Sequence, residues 1–124
     1  MILHCMKKSA WNQRKQKEFW GEEELEAEGF IHCSTIEYFW RVASNFKEIT
    51  DEMVLICLDE RRLTAEVRYE DGDHCGRSYP HVYGLINNDA VLQVLPFLRD
   101  EEGNYLENPE FTGKNKADES NSTP

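Results

Sequence analysis

The sequence predicts an α+β fold in a single domain: a curved sheet, mixed or antiparallel, carrying two helices from the N-terminal half of the chain. Three observations predict it. A chain of 124 residues suits one domain that buries roughly two-thirds of its unfolded surface without disulfide staples. The elements run strand, helix, strand, helix and then mainly strands. The run MVLICL, residues 53–58, is apolar throughout and flanked by charge, as in a strand covered on both faces.

Residues 1–5 (MILHC) read as the first strand. Ser9 is placed to cap a helix reaching about residue 19, with Trp11 and Phe19 turned inward. Gly21 ends that helix, and the glutamate-rich stretch up to Gly29 reads as an exposed loop. Residues 30–33 form a short strand. Ser34-Thr35-Ile36-Glu37 has the spacing of a capping box, and Phe39, Val42, Ala43 and Phe46 then recur at the interval of an amphipathic helix. Residues 65–70 alternate, Val67 and Tyr69 on one face against Glu66, Arg68 and Glu70 on the other. Asp71-Gly72-Asp73 is a turn, and residues 74–80 a polar loop. His81-Val82-Tyr83-Gly84 follows, then a strand at 91–98 and a hairpin between Arg99 and Tyr105. Residues 1–111 make the domain. From Thr112 the polar, Gly- and Ser-containing composition predicts a disordered tail.

Charge excludes whole classes of partner. Fourteen Lys and Arg against 24 Asp and Glu leave a net charge of −10, all of it on the body of the domain because the tail charges cancel. Such a surface repels duplex nucleic acid and anionic membranes but admits a small phosphorylated ligand where arginines converge. Five bases between Lys7 and Lys17 precede six glutamates between Glu18 and Glu28. Either the bases form a patch with Trp11 and Trp20 as stacking platforms, or they are the solvated face of a helix; overall acidity favours the second. No apolar run approaches the ~18 residues of a membrane helix, and Lys7-Lys8 follow rather than precede the short MILHC segment, so no secretory signal is read. A soluble, cytoplasmic protein is expected. Cys5, Cys33, Cys57 and Cys75 lack metal-ligand spacing and read as free thiols; a zinc site drawn from His74, Cys75 and His81 has a spacing that arises readily by chance.

Alternation then selects the candidate chemistry. With Ile31 and Cys33 in the core, His32 is presented on the opposite face, with Ser34 beside it if the strand continues. The same spacing puts His81 and Tyr83 on one face, ahead of Gly84, where backbone can approach a ligand. Glu66, Arg68 and Glu70 share a face, either as mutually compensating ions or with Arg68 holding an anion and a glutamate stabilising positive charge. Structural readings stand beside each: Ser34 as a helix cap, His32 satisfied by a backbone carbonyl, His81 fixed over the core.

Taken together, Gly29-Phe30-Ile31-His32-Cys33-Ser34-Thr35, Glu66-Val67-Arg68-Tyr69-Glu70 and Tyr79-Pro80-His81-Val82-Tyr83-Gly84 resemble the signature blocks of the domain of unknown function 952 family, over about residues 1–111. His4 at the end of the leading strand and Trp11 on the first helix also fit. Leu85-Ile86 departs from the pattern, where a proline is expected after Gly84.

The resemblance implies an ADP-ribosyltransferase-like fold, near the RNA 2′-phosphotransferases, and NAD as a possible ligand. It implies His32 as a ribose contact and Ser34 as a second polar contact, with Cys33 where glycine is usual. An aromatic near Tyr83 would be the platform for nicotinamide, with Tyr83 among the ligand-binding candidates and His81 a second ligand contact. Arg68 or Arg77 would offset the pyrophosphate charge. His32, His81 and Glu66, with Glu70 as the other glutamate, are the catalytic candidates. Three functions follow: an ADP-ribosyltransferase-like transferase; a non-catalytic module binding a nucleotide-like ligand or a protein through the same cleft; or a thiol or metal protein.

Overall fold

The computed structural model describes residues 1–72 and 74–111. The first strand, β1 (Ile2–Lys7), leads directly into a short helix, α1 (Lys8–Arg14). Helix α1 starts earlier than the Ser9 cap predicts and ends five residues before Phe19. Lys7 occupies the cap position and makes no side-chain cap bond. Trp11 packs against the core as expected. Phe19 does not: it is 38% exposed in β2 (Phe19–Trp20), while Trp20 is completely buried.

The glutamate-rich stretch, expected as a loop, is a helix, α2 (Glu22–Glu28). Glycines with left-handed backbone bound it, Gly21 at φ 118° and Gly29 at φ 84°, and the Gly29 amide closes the last turn on the Leu25 carbonyl at 2.8 Å. Glu22, Glu23 and Glu24 occupy the first turn, where the exposed amides favour anions. Leu25 packs on the core.

After α2 the chain changes sheets within five residues. Strand β3 (Ile31–His32) pairs with β7 (Tyr79–Tyr83), whereas β4 (Ser34–Thr35) pairs with β1. Cys33 lies between the two strands, its amide bonded to the Pro80 carbonyl at 3.0 Å. The capping box does not form. The Ser34 hydroxyl donates to the Thr35 carbonyl at 2.8 Å, and Thr35 Oγ1 accepts the Tyr38 amide at 3.3 Å. Helix α3 (Phe39–Ala43) follows and tightens into a 3-10 turn, Ser44–Phe46. Phe39 and Ala43 are buried, as the spacing predicts.

Strand β5 (Met53–Leu58) is buried at every position. It lies between β1 and β9 (Val91–Pro96) in a four-stranded sheet of order β4-β1-β5-β9. The period-two alternation of strands divides its side chains between two clusters. Val54, Ile56 and Leu58 join Ile2, Met6, Trp20, Ile31 and Val82; Leu55 and Cys57 join Leu3, Phe39, Leu95 and Phe111.

Strand β6 (Glu66–Glu70) completes a second sheet of order β3-β7-β6, and β8 (Ile86–Asn87) pairs with β2. All the strand pairings among the described residues are antiparallel. The Arg99–Tyr105 hairpin is closed by a single antiparallel bridge. No helix among the described residues is long and apolar enough to cross a membrane. Asp73 and the tail from Thr112 lie outside the described residues.

Candidate functional site

The three-stranded sheet has an apolar face and a polar face. Ile31, Val82 and Val67 stand in register across β3, β7 and β6 and turn to the core. One residue along, His32, His81 and Arg68 are in register on the opposite face. Tyr79, Tyr83, Glu66 and Glu70 share that face, because each lies two residues from His81 or Arg68. Phe30 precedes His32 by two and completes the group.

The side chains interlock. Phe30 stacks on His81 with ring centroids 4.1 Å apart and planes at 20°, and it meets His32 edge-on at 4.7 Å. The two imidazoles are 5.2 Å apart at 81°. Glu70 Oε1 accepts both the His81 Nδ1 proton, at 2.8 Å, and the Tyr83 hydroxyl, at 2.6 Å. These two donors hold the Glu70 carboxyl below its ordinary pKa, and the same bond raises that of the Tyr83 phenol. His32 carries its own carboxylate partner, Glu28 from the end of α2. The His81 side chain is only 9% exposed, against 60% for His32.

A cavity of about 630 Å³ opens beside this face, within the size range of small-molecule sites. Phe30, His32, His81, Tyr79 and Glu70 form one side. Arg41, Val42 and the turn Ser44–Phe46 contribute from α3 and its extension. Leu3, Cys5, Cys33 and Ser34 supply further lining. Burial pushes the Cys5 thiol up to about 12 against the opposing charge of Arg99, and pushes Cys33 up as well. Both are therefore protonated, poor nucleophiles.

A charged cluster runs inward from His4, which itself lines the cavity. His4 Nδ1 donates to the His32 carbonyl at 2.6 Å, and its Nε2 lies 3.5 Å from Glu24 Oε2. Arg14 clasps Glu24 with two bonds of 2.7 and 2.9 Å and lies over the Trp20 ring, 5.3 Å from its centre. Burial alone would raise the Glu24 pKa. The bonds from His4 and Arg14 outweigh it and hold the carboxyl well below the usual range.

Of the residues singled out in the sequence, His32 and His81 meet on the cavity wall. Ser34 also lines the cavity, but it does not share the face of His32: the change of sheet at Cys33 breaks the alternation, and Ser34 is buried with its hydroxyl spent on the Thr35 carbonyl. Tyr83 sits behind Glu70, outside the lining, with the Arg68 guanidinium 4.4 Å over its ring. Arg68 is tied to Glu66 at 2.9 Å, and both side chains are more than half exposed beyond the cavity. Arg77 lies over Tyr38 at 5.8 Å rather than in the lining. Gly84 serves packing: a Cβ there would lie 2.8 Å from the Ala65 Cβ. Among the described residues no three His, Cys, Asp or Glu side chains converge as metal ligands.

Phe30, Glu28 and Arg41 were missed as site residues. Phe30 was legible in principle, since it lies two residues before His32 on the same strand face.

The profile of the family described as "Protein of unknown function (DUF952)" matches residues 5–94, most of the chain. The chain belongs to the DUF952 family. This DUF952 domain is also similar in fold to Protein CC0527 from Caulobacter crescentus. Its crystal structure aligns with a TM-score of 0.77 at 20% identity, covering 90% of this chain and 97% of that one. The solution NMR structure of CC0527 aligns with a TM-score of 0.68 at 22% identity, covering 82% and 88%. Identity at this level shows a shared fold. No curated protein matches the chain.

Proposed function

We propose that the cavity binds a nucleotide-like ligand of the NAD type and that the domain acts on it as an ADP-ribosyltransferase-like transferase. The observation that carries this reading is the wall shared by His32, His81 and Glu70: two imidazoles 5.2 Å apart, with a carboxylate 2.8 Å from one of them. Breaking a nicotinamide–ribose bond builds positive charge on the ribose, so it needs an oriented sugar and a fixed negative charge nearby.

In this reading His32 and His81 orient the ribose, and Glu70 faces the developing cation. Phe30 and Tyr79 supply the aromatic wall. The carboxylate role passes from Glu66 to Glu70, because Glu70 lines the cavity while Glu66 is spent on Arg68 outside it. Tyr83 and Arg68 act from behind, Tyr83 by fixing Glu70 and Arg68 by covering Tyr83. Ser34 offers only oxygen lone pairs, and Arg77 lies over Tyr38, whose ring is 5.8 Å from that of the lining residue Tyr79. Nicotinamide leaves with the bonding electron pair. The acceptor forms the new bond to the ribose and releases its proton to the His81–Glu70 pair.

A non-catalytic module using the same cleft is the second reading, favoured by the commitment of the Ser34 hydroxyl to backbone. Incubation with NAD, with free nicotinamide measured by chromatography, separates the two. Transfer or hydrolysis predicts nicotinamide release that falls at least ~100-fold in Glu70→Gln. Binding without release supports the module. Neither binding nor release refutes both.

A further inference from the structure

We infer that Arg41 is the anion anchor of the cavity and that its ligand carries a phosphate or pyrophosphate; this rests on the reading of the cavity as a ligand site. The chain has a net charge of −10, so an anionic ligand needs a local cation. Among the described residues the lining holds one arginine, Arg41, and no lysine. The arginines chosen from the sequence are engaged elsewhere, Arg68 on Glu66 and Tyr83, and Arg77 over Tyr38.

Arg41 shares with Arg77 and Arg99 the lack of an ion pair among the described residues, and differs from both in lining the cavity. Arg14, Arg61, Arg62 and Arg68 each pair with a carboxylate. Arg41 forms no ion pair among the described residues; its guanidinium lies 6.0 Å from the centre of the neighbouring Trp40 ring. Arg41 as a residue is half-buried, on a helix whose Phe39 and Ala43 are fixed in the core, so its base is rigid. Asn45 lines the cavity nearby and offers an amide donor. A planar guanidinium with a free fork is the side chain best matched to phosphate oxygens.

Charge across the cavity sets the orientation. Glu70 is the one carboxylate in the described lining, on β6, and Arg41 comes from α3. A ligand with separated charges therefore docks its phosphate end against α3 and its sugar and electron-poor ring towards Glu70. A nucleoside lacking phosphate leaves Arg41 unused.

Calorimetric titration with ADP-ribose and with adenosine tests this, with histidine ring resonances reporting where each probe binds. ADP-ribose is expected to bind the wild-type chain at least ~10-fold more tightly than adenosine. Arg41→Met should weaken ADP-ribose roughly 10- to 100-fold and leave adenosine unchanged. Arg41→Lys should retain part of the affinity, and Arg61→Met, on the exposed turn after β5, all of it. Equal affinity for the two probes, or an Arg41→Met protein with an unchanged melting midpoint and full ADP-ribose affinity, overturns the inference while the cavity reading stands. If neither probe moves the His32 and His81 resonances of the wild-type chain, the cavity reading itself fails and the anchor with it.

Discussion

His32 and His81 are registered partners across β3 and β7, and their imidazoles meet nearly at right angles, 5.2 Å apart, on the wall of the cavity. The pair is pinned from two sides by carboxylates on different elements, Glu28 of α2 and Glu70 of β6. Glu70 also fixes Tyr83, and that bond makes the phenol harder to ionise. Replacing the carboxylate in Glu70→Gln should let Tyr83 titrate at lower pH than in the wild-type chain. Phenolate absorbance, assigned by comparison with Tyr83→Phe, measures the shift; an unchanged or higher midpoint would contradict the geometry.

Glu24 joins α2 to the body of the fold through Arg14 and His4. Glu24→Gln leaves the half-buried Arg14 guanidinium without its anion and should cost about 1–3 kcal/mol near neutral pH. The sign with pH follows from the depressed carboxyl. Its contribution is complete above the unfolded carboxyl value of about 4.3 and fades as pH falls towards the folded one. Denaturant unfolding of both proteins should therefore show a gap that is constant near neutrality and closes in acid. A gap that widens in acid would show that Glu24 is not held by these partners.

Gly21 tests the entry into α2. Its φ of 118° suits glycine, and a Cβ there would run into Cδ1 of the fully buried Ile31. Gly29 has a left-handed backbone too, but a Cβ would meet nothing within 4 Å. Gly21→Ala should lose about 1–3 kcal/mol, and Gly29→Ala about 1 kcal/mol, read from denaturant midpoints at unchanged slope. Equal losses would mean that Ile31 yields freely and that only backbone strain matters.

The thiols should separate by environment. Cys33 and Cys57 are buried; Cys5 and Cys75 are both half-buried, but burial pushes the Cys5 thiol up to about 12, whereas Cys75 sits on the loop before β7. Alkylation of the folded chain around pH 8, followed by mass spectrometry, should label Cys75 first and the other three only on unfolding. Rapid labelling of Cys33 would contradict its place in the core.

Local pattern made part of this molecule legible. The unbroken apolar run of β5 announced a strand covered on both faces. Alternation grouped Arg68 with Glu66 and Glu70 on one face of β6 and His81 with Tyr83 on one face of β7; the register then joins the two groups. What failed was non-local. The capping box at Ser34 was matched by spacing, yet Ser34 pairs with Leu3 on β1, and no local pattern reports that partner. The five glutamates between Gly21 and Gly29 suggested solvated loop, whereas glycines at each end and Leu25 on one face make a helix. Arg41 sits within a helix whose apolar spacing is legible in the sequence although its start is not, and its position on the cavity depends on how α3 packs across the histidine sheet.

One titration bears on the central claim, that His32, His81 and Glu70 form a single ligand site. ADP-ribose is added to the wild-type chain while the ring resonances of all four histidines are followed by NMR. The account predicts that His32 and His81 shift together along one binding curve, and that His81→Ala weakens the binding reported by His32. Resonances that stay fixed at saturating ligand, or that follow two unrelated curves, would contradict it.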